Sequence, residues 1–428
     1  MRPVLLAAVA TFCVAGAAAQ DDVAETLIHA GHVLAVPGDG YLTEQTITVV
    51  DGSIASVEAG FVDPGEGDTV IDLKEAYVLP GLIDSHVHLG GERSPTSRLK
   101  ALTDSEVDEA FDGALHARRT LMAGFTAVQD VGGTNEAIFS LRDAVAAGKV
   151  PGPHIKASGR AVSATGGHGD ANGYSPALSA LFTGANTCDG ADDCRRAVRQ
   201  LVKDGADVIK ITATGGVLSN TAAGLEQQLF EDELVAIVEA AETMGRRVTA
   251  HAHGKGGIEA ALRAGVHSIE HGTYLDEETV ALFKSQDATL VPTVLAGVTV
   301  TGWTNEPWLP EPSREKAAQV GPTMLEMLRT ARKGGVRVAF GTDSGVSKHG
   351  NNAREFELMV EAGYSPEEAI ESATVIASEH IRMDDVIGTL EAGKHADLIA
   401  LDGDPLADVS ELLDVDFVMK DGVVHKSE

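Results

Sequence analysis

Residues 80–90 read Pro-Gly-Leu-Ile-Asp-Ser-His-Val-His-Leu-Gly, an apolar run that closes on two histidines one residue apart. Side chains alternate across a strand, so His86 and His88 leave the same face and can share one metal ion. Alone, such a pair is commonplace on a polar surface. Four further apolar runs close in the same manner: Ala206–Thr212 carries Lys210, Arg-Arg-Val-Thr-Ala-His-Ala-His-Gly ends on His251 and His253, Val266–Glu270 runs into His271, and Val336–Thr342 runs into Asp343. Imidazole and carboxylate are zinc ligands. A lysine inside a buried run loses the water that stabilises its ammonium form, which leaves a nucleophilic neutral amine. Read singly, Lys210 is a strand-tip lysine reaching solvent and each of the others a satisfied structural group. Five strand ends presenting ligand-type residues together point to a metal-dependent hydrolase.

These groups need a scaffold that brings strand ends to one place. The middle of the chain alternates apolar runs, ending near His86, Asp130, Ala164, Lys210, His251, His271, Leu295 and Asp343, with helix-like segments such as Glu231–Thr243 and Ser313–Lys333. Eight strand–helix units over about 300 residues predict an α/β fold of the (β/α)8 TIM-barrel type, whose strand C-termini converge on one face. The two ends differ in texture. Short β-like runs around Asp51-Gly52 and again around Asp421-Gly422 read as hairpins. They predict a small composite β-sandwich domain from residues 20–80 and 385–428, with the catalytic barrel over 81–384. Trp303 and Trp308, among three prolines, are read as a buried structural loop, with a lid over the pocket as the alternative.

Composition narrows the partners. A net charge of −31 argues against a nucleic-acid or anionic-membrane partner, because phosphates demand a basic face. Residues 1–19 have the pattern of a cleavable signal peptide, with Arg2, an apolar core over Val4–Ala15 and the small residues Ala17-Ala18-Ala19; this predicts a secreted or periplasmic protein with no membrane span once it is removed. Cys13 leaves with that segment. Cys188 and Cys194 remain around an acidic loop, and in an oxidising compartment a local disulfide suits them.

With Pro-Gly-Leu-Ile-Asp-Ser-His-Val-His, Gly-Phe-Thr-Ala-Val-Gln-Asp-Val-Gly-Gly, His-Ala-His-Gly, Ile-Glu-His-Gly, Gly-Thr-Asp-Ser-Gly and Gly-Thr-Leu-Glu-Ala-Gly-Lys-His-Ala-Asp-Leu, the chain resembles the metal-dependent amidohydrolase superfamily from about residue 24 to 424. Gly-Ala-Asp-Val-Ile-Lys-Ile and the paired His251 and His253 make it most similar to the Xaa-Pro dipeptidase-like carboxypeptidases and ochratoxin-degrading amidases. The resemblance implies two Zn2+ per chain: His86, His88 and Asp343 on the first, His251 and His271 on the second, and N6-carboxylated Lys210 bridging both. His253 is then a substrate or transition-state contact, the reverse assignment of His251 and His253 remaining open. His168, Tyr274 and Arg160 are candidates for the pocket wall and for the carboxylate of the substrate.

The implied reaction is hydrolysis of an amide or peptide bond by a metal-bridging hydroxide, with Asp343 moving the proton. It would release a C-terminal amino acid from a dipeptide or N-acyl amino acid, ochratoxin-like amides included. A homo-oligomer, with an octamer as one form, is implied as well. Three alternatives stand beside this reading. A mononuclear deaminase would place a glutamate where His253 stands and would lack Lys210. A lactam or imide hydrolase is closer and is barely excluded by the sequence, and a catalytically dead scaffold would have lost ligands that are all present here.

Overall fold

A computed structural model describes residues 24–427, apart from 183, 185 and 222; the signal segment expected over residues 1–19 lies outside the described residues. Near the N-terminus, β-branched residues build β1 (Thr26–Val33), β2 (Leu42–Val50), β3 (Ser53–Ala59) and β4 (Thr69–Pro80). Asp51 and Gly52 both take positive φ, 48° and 80°, which is the backbone a two-residue hairpin between β2 and β3 requires.

Eight strands follow: β5 (Leu82–Val87), β6 (Phe125–Asp130), β7 (His154–Ala157), β8 (Ile209–Thr212), β9 (Val248–Ala252), β10 (Ser268–His271), β11 (Thr289–Val291) and β12 (Arg337–Val338). All but β7 and β12 are buried at every position. Parallel strands covered on both faces need apolar side chains throughout, which is why they read as continuous runs. They pair in parallel as β5-β6-β7 and β12-β11-β10-β9-β8. Backbone bonds join the two sheets at both edges: Val162 N to Lys210 O (2.8 Å) on one side, Asp343 N to His86 O (2.8 Å) and His88 N to Ser344 O (2.7 Å) on the other. Helices such as Glu231–Thr243 pack outside, and Val198, Leu234, Ile258, Phe283, Leu328 and Phe356 fill the shared core.

The chain then returns to where it started. β13 (Leu398–Leu401) pairs antiparallel with β4, and β14 (Phe417–Lys420) and β15 (Val423–Ser427) extend it, giving one seven-stranded sheet in the order β15-β14-β13-β4-β1-β2-β3. Residues from both ends, including Ile28, Ile47, Val78, Leu398 and Phe417, form its core. Cys188 and Cys194 are disulfide-bonded, with Cα atoms 4.9 Å apart. No helix among the described residues is long and apolar enough to cross a membrane.

Three element boundaries differ from expectation. The third strand ends at Ala157 rather than near Ala164, and only Val162 beyond it bridges to β8. Leu295 opens a helix, Val294–Gly302, because the buried Glu355 carboxylate caps the backbone N–H groups of Val294 (2.8 Å) and Leu295 (2.6 Å). The helix expected over 313–333 is two, Glu311–Val320 and Met324–Gly334, with a 3-10 turn at Gly321–Thr323 between them. Pro322 lacks an N–H, and a side chain at Gly321 would collide with the Thr301 hydroxyl, so the break marks a close helix–helix approach.

Candidate metal centre

The strand ends converge as expected. His86 and His88 face Asp343, with Asp343 Oδ1 3.2 Å from His88 Nε2 and 3.6 Å from His86 Nε2. His271 bridges to the other histidines, its ring centre 5.2 Å from that of His86, 4.6 Å from His251 and 4.9 Å from His253. Two ligand groups result, His86/His88/Asp343 and His251/His253/His271, each with donor atoms within 4.8 Å of one another. Lys210, Asp343 and all these histidines except His88 are buried; the His88 side chain keeps 32% of its exposure, toward the cleft.

The local backbone is bent to achieve this. His271, Thr293 and Asp343 are non-glycine residues at φ 72°, 51° and 57°, a left-handed conformation that carries strain and gathers at functional sites. Gly341 lies against His86, where an added Cβ would come within 3.2 Å of the histidine Cβ.

Partners behind the rings decide which nitrogen is free. His86 Nδ1 donates to Glu270 (2.6 Å) and His88 Nδ1 to the Gly132 carbonyl (2.9 Å), while His271 Nδ1 meets the Thr293 hydroxyl (2.7 Å). For His86 and His88 the partner can only accept, which leaves Nε2 as the lone-pair donor, the arrangement that fixes metal-binding imidazoles; Thr293 orients the His271 ring. His251 is reversed: its Nε2 faces the Gly215 carbonyl at 3.3 Å, which leaves Nδ1. His253 Nδ1 lies 2.7 Å from the Thr273 hydroxyl, which also reaches Met324 Sδ at 3.1 Å, so Thr273 fixes the orientation of the ring.

Electrostatics keep the site ligand-ready. Burial, joined by the charge of Lys210, pushes His86 well below the usual imidazole range. His251 and His271 are likewise held well below it, by burial and by the neighbouring rings and Lys210. His253 is lowered to about 3 by burial and by Lys316. The charge of Lys210 contributes to the lowering at His251, and that of Lys316 to the lowering at His253. His88 goes the other way: burial disfavours its charge, but the adjacent Asp343 more than offsets that. Burial works against the Asp343 carboxylate, yet His86 and His88 hold its pKa below the ordinary range. Burial also lowers Lys210, against the opposing pull of Glu270, Asp343 and Asp130. None of the hydrogen bonds among the described residues involves its amine.

The donor set fits a divalent metal on geometry as well. Asp343 Oδ1 is buried without a hydrogen-bond partner. Its spacing from the two imidazole nitrogens matches the edge of a tetrahedron built on zinc–ligand bonds, roughly 3.3–3.6 Å.

Two cavities open beside this centre, of about 530 and 220 Å3. Arg93, Ser94, Pro95 and Trp308 form a wall common to both. The larger is lined by Leu295, Val298, Trp303, Lys348 and Arg354, the smaller by His168, Tyr174 and Ser219. Trp303 and Trp308 pack edge to face, 5.1 Å between ring centres, and are half-buried walls rather than the buried loop expected.

His168 falls where expected, its ring centre 4.2 Å from that of His251 and Nδ1 against the Ser219 hydroxyl. Tyr274 does not line either cavity; its N–H bonds the His253 carbonyl (3.1 Å), and its ring packs half-buried against the core. Arg160 is a correction: its guanidinium turns away to Glu106 at 3.6 Å, because the chain leaves β7 before that residue. Arg93 is the cation whose side chain borders both cavities, Lys348 and Arg354 lining only the larger and Arg98 only the smaller; it is exposed, and desolvation lowers its pKa while Asp343 opposes. Sequence reasoning missed it, since an arginine five residues beyond His88 carries no periodic signal. Glu270 was visible only as part of a motif.

Comparison with known proteins agrees with this geometry. The amidohydrolase family pattern matches residues 77–424. Ochratoxinase of Aspergillus niger is 34% identical over 418 residues, covering 92% of this chain and 84% of that protein. Among solved structures, a Xaa-Pro dipeptidase with bound methionine in its active site superposes with a TM-score of 0.90 at 40% identity, over 94% of this chain and 100% of that one. A prolidase complexed with N-methylphosphonate-L-proline gives 0.86 at 33%, over 94% and 100%.

Proposed function

The chain belongs to the amidohydrolase family as a hydrolase acting on amide bonds, and from that premise we propose a binuclear zinc enzyme that releases the C-terminal amino acid of a dipeptide or N-acyl amino acid. The observation that carries the proposal is the convergence of two ligand groups, His86/His88/Asp343 and His251/His253/His271, joined by the contact of His86 with His271, with the charge of the buried Lys210 felt at His86, His251, His271 and Asp343. In this reading the eight parallel strands form a closed (β/α)8 barrel, with the terminal strands as a composite β domain.

His86 and His88, through Nε2, and Asp343 would hold one zinc; His251, through Nδ1, and His271, through Nε2, would hold the other. His251 is preferred to His253 because it is the one that lies within reach of the Lys210 charge. Lys210, whose burial favours the neutral amine, would add CO2 and release one proton to give a carbamate, an anion with oxygen ligands to offer the zinc pair. When bound, the zinc pair supplies an acidified water and a polarised scissile carbonyl.

Asp343, ionised because of its two imidazole neighbours, takes the proton from the attacking water and passes it to the departing amide nitrogen. Glu270 holds the tautomer of His86. His253 contacts the substrate or its transition state. Arg93 offers a guanidinium to the free carboxylate, and the larger, aromatic-walled cavity accommodates a bulky acyl group or side chain. Relatives named for dipeptides with a C-terminal proline and for ochratoxin support a substrate that ends in an amino acid.

Export through the 1–19 leader belongs to the same proposal, supported by the Cys188–Cys194 disulfide. So does a homo-oligomer. Val107, Phe111 and Leu115, each four apart on the helix Glu106–Met122, are 63%, 73% and 46% exposed. An apolar stripe of that kind asks for a partner surface.

The test is a released-amino-acid screen over dipeptides, N-acyl amino acids and cyclic amides, run with zinc counted per chain. Release of amino acids with two zincs, silenced by a chelator and restored by Zn2+, is the expected result. Turnover of cyclic amides alone, one zinc per chain, or activity indifferent to prolonged chelation would each remove the proposal.

A further inference from the structure

We infer that the chain carries a second metal site, remote from the catalytic centre, in which His154, His395, Asp397 and Asp421 bind one divalent transition ion where the parallel strands meet the terminal sheet. His154 is the first residue of β7, at the opposite end of the strands from His86 and Asp343. Asp397 immediately precedes β13, and its carbonyl accepts from Gly81 N at 3.0 Å. Asp421 sits in the β14–β15 turn, and His395 lies on the segment that bridges to Ser53. Three separate stretches of chain thus deliver two imidazoles and two carboxylates to one point.

The geometry repeats that of the catalytic ligands. His154 Nε2 stands 3.2 Å from Asp397 Oδ2 and 3.5 Å from Asp421 Oδ1, against 3.2 and 3.6 Å for Asp343 Oδ1 with His88 and His86. Those separations are the edges of a tetrahedron of zinc–nitrogen and zinc–oxygen bonds, roughly 3.3–3.6 Å. The donor atoms of His154, His395 and Asp421 all lie within 4.8 Å of one another; His395 Nδ1 is at hydrogen-bond distance, 2.7 Å, from Asp421 Oδ1, shorter than such an edge, so an ion held by both replaces that bond and parts the two atoms.

The second indication is independent of spacing. Asp397 is 4% exposed, and its Oδ2 has no hydrogen-bond partner although Oδ1 accepts from Asp421 N at 2.8 Å. His154 Nε2 is likewise buried and unpartnered. Asp343 Oδ1, at the catalytic centre, is the other carboxylate oxygen with this property among the described residues. A buried carboxylate oxygen facing a ring nitrogen without bonding it costs free energy unless something lies between them.

Lys420 Nζ occupies Asp421 Oδ2 at 2.7 Å, so Oδ1 is the oxygen turned to the site. Two imidazoles with two carboxylates select zinc or a similar borderline ion over calcium or magnesium, which take oxygen shells. Bound there, the ion ties the entry end of β7 to two turns of the terminal sheet, a structural clamp rather than a catalytic element.

The experiment uses tag-free wild-type protein with H154Q and H395N variants. Each is incubated with Zn2+ alone, freed of excess by gel filtration, and its metal counted by mass spectrometry. Each variant is expected to hold one zinc fewer per chain than wild type while keeping its hydrolytic activity. Anomalous scattering at the zinc edge should place a peak between His154 and Asp397 in wild-type crystals. Equal zinc content in all three proteins, or no peak there, overturns the inference. His395 is half-exposed on a loop, so H395N supplies the count if H154Q does not fold. The count is a difference between proteins, so it holds whatever number of ions the catalytic centre takes.

Discussion

Replacing Glu270 with glutamine preserves the volume of a fully buried side chain and deletes its charge. The carboxylate accepts three bonds, from His86 Nδ1 at 2.6 Å, from the Ser268 hydroxyl at 3.2 Å and from the Thr249 hydroxyl. An amide has one acceptor oxygen, and its NH2 group must face either the imidazole or the two hydroxyls. Hydroxyls rotate to accept, so the stable arrangement keeps the oxygen on His86 and the fold survives. What is lost is charge assistance: a bond to a charged group is worth about 1.5–3 kcal/mol and a neutral one about 0.5–1.5. The difference, about 1–2 kcal/mol, corresponds to roughly 5- to 30-fold weaker zinc binding, close to the 10–100-fold typical for groups behind a metal ligand. A competitive chelator titration of the holoenzyme measures it, with kcat determined at saturating zinc. We expect E270Q to need about tenfold more free zinc and then to recover wild-type kcat. A folded E270Q with unchanged zinc affinity would refute the positioning role, and so would activity that no zinc concentration restores.

Four other outcomes follow from the same structure. D343N should lower kcat by roughly 10²–10⁴-fold, the usual range for a general base, while metal analysis still finds zinc bound; a wild-type rate ends the role of Asp343. R93Q should raise KM by roughly 10–100-fold for substrates with a free carboxylate, from the loss of a charged bond worth about 1.5–3 kcal/mol, and should leave the amidated analogues unaffected. His253, lowered to about 3, is neutral from pH 5 upward, so kcat/KM should show no step near 6.5 that disappears in H253N. Closing a loop of sequence separation 6 is worth about 2 kcal/mol; in a chain of this size C194S should melt about 2–3 °C lower, and a wild-type melting curve that ignores reductant would deny the disulfide that contribution.

Much of the centre was legible because each piece of it is local. Strand periodicity alone puts His86 beside His88 and His251 beside His253, and a buried apolar run alone makes Lys210 anomalous. The helix Glu231–Thr243 and the hairpins at Asp51-Gly52 and Asp421-Gly422 were equally readable, since propensity and turn chemistry act over a few residues. The helix expected over 313–333 was not, because its break answers to Thr301 on a neighbouring helix.

What only the tertiary structure decided is direction and partnership. Arg93, not Arg160, occupies the cleft, because loops after strands have no period that aims a side chain. Which nitrogen of His86, His88 and His251 is free depends on Glu270, Gly132 and Gly215, residues far from those rings in sequence. The unpartnered oxygens of Asp343 and Asp397 exist only once burial removes the water that would satisfy them. Periodicity determines which residues share a face; desolvation and the groups packed behind them determine what those residues can do.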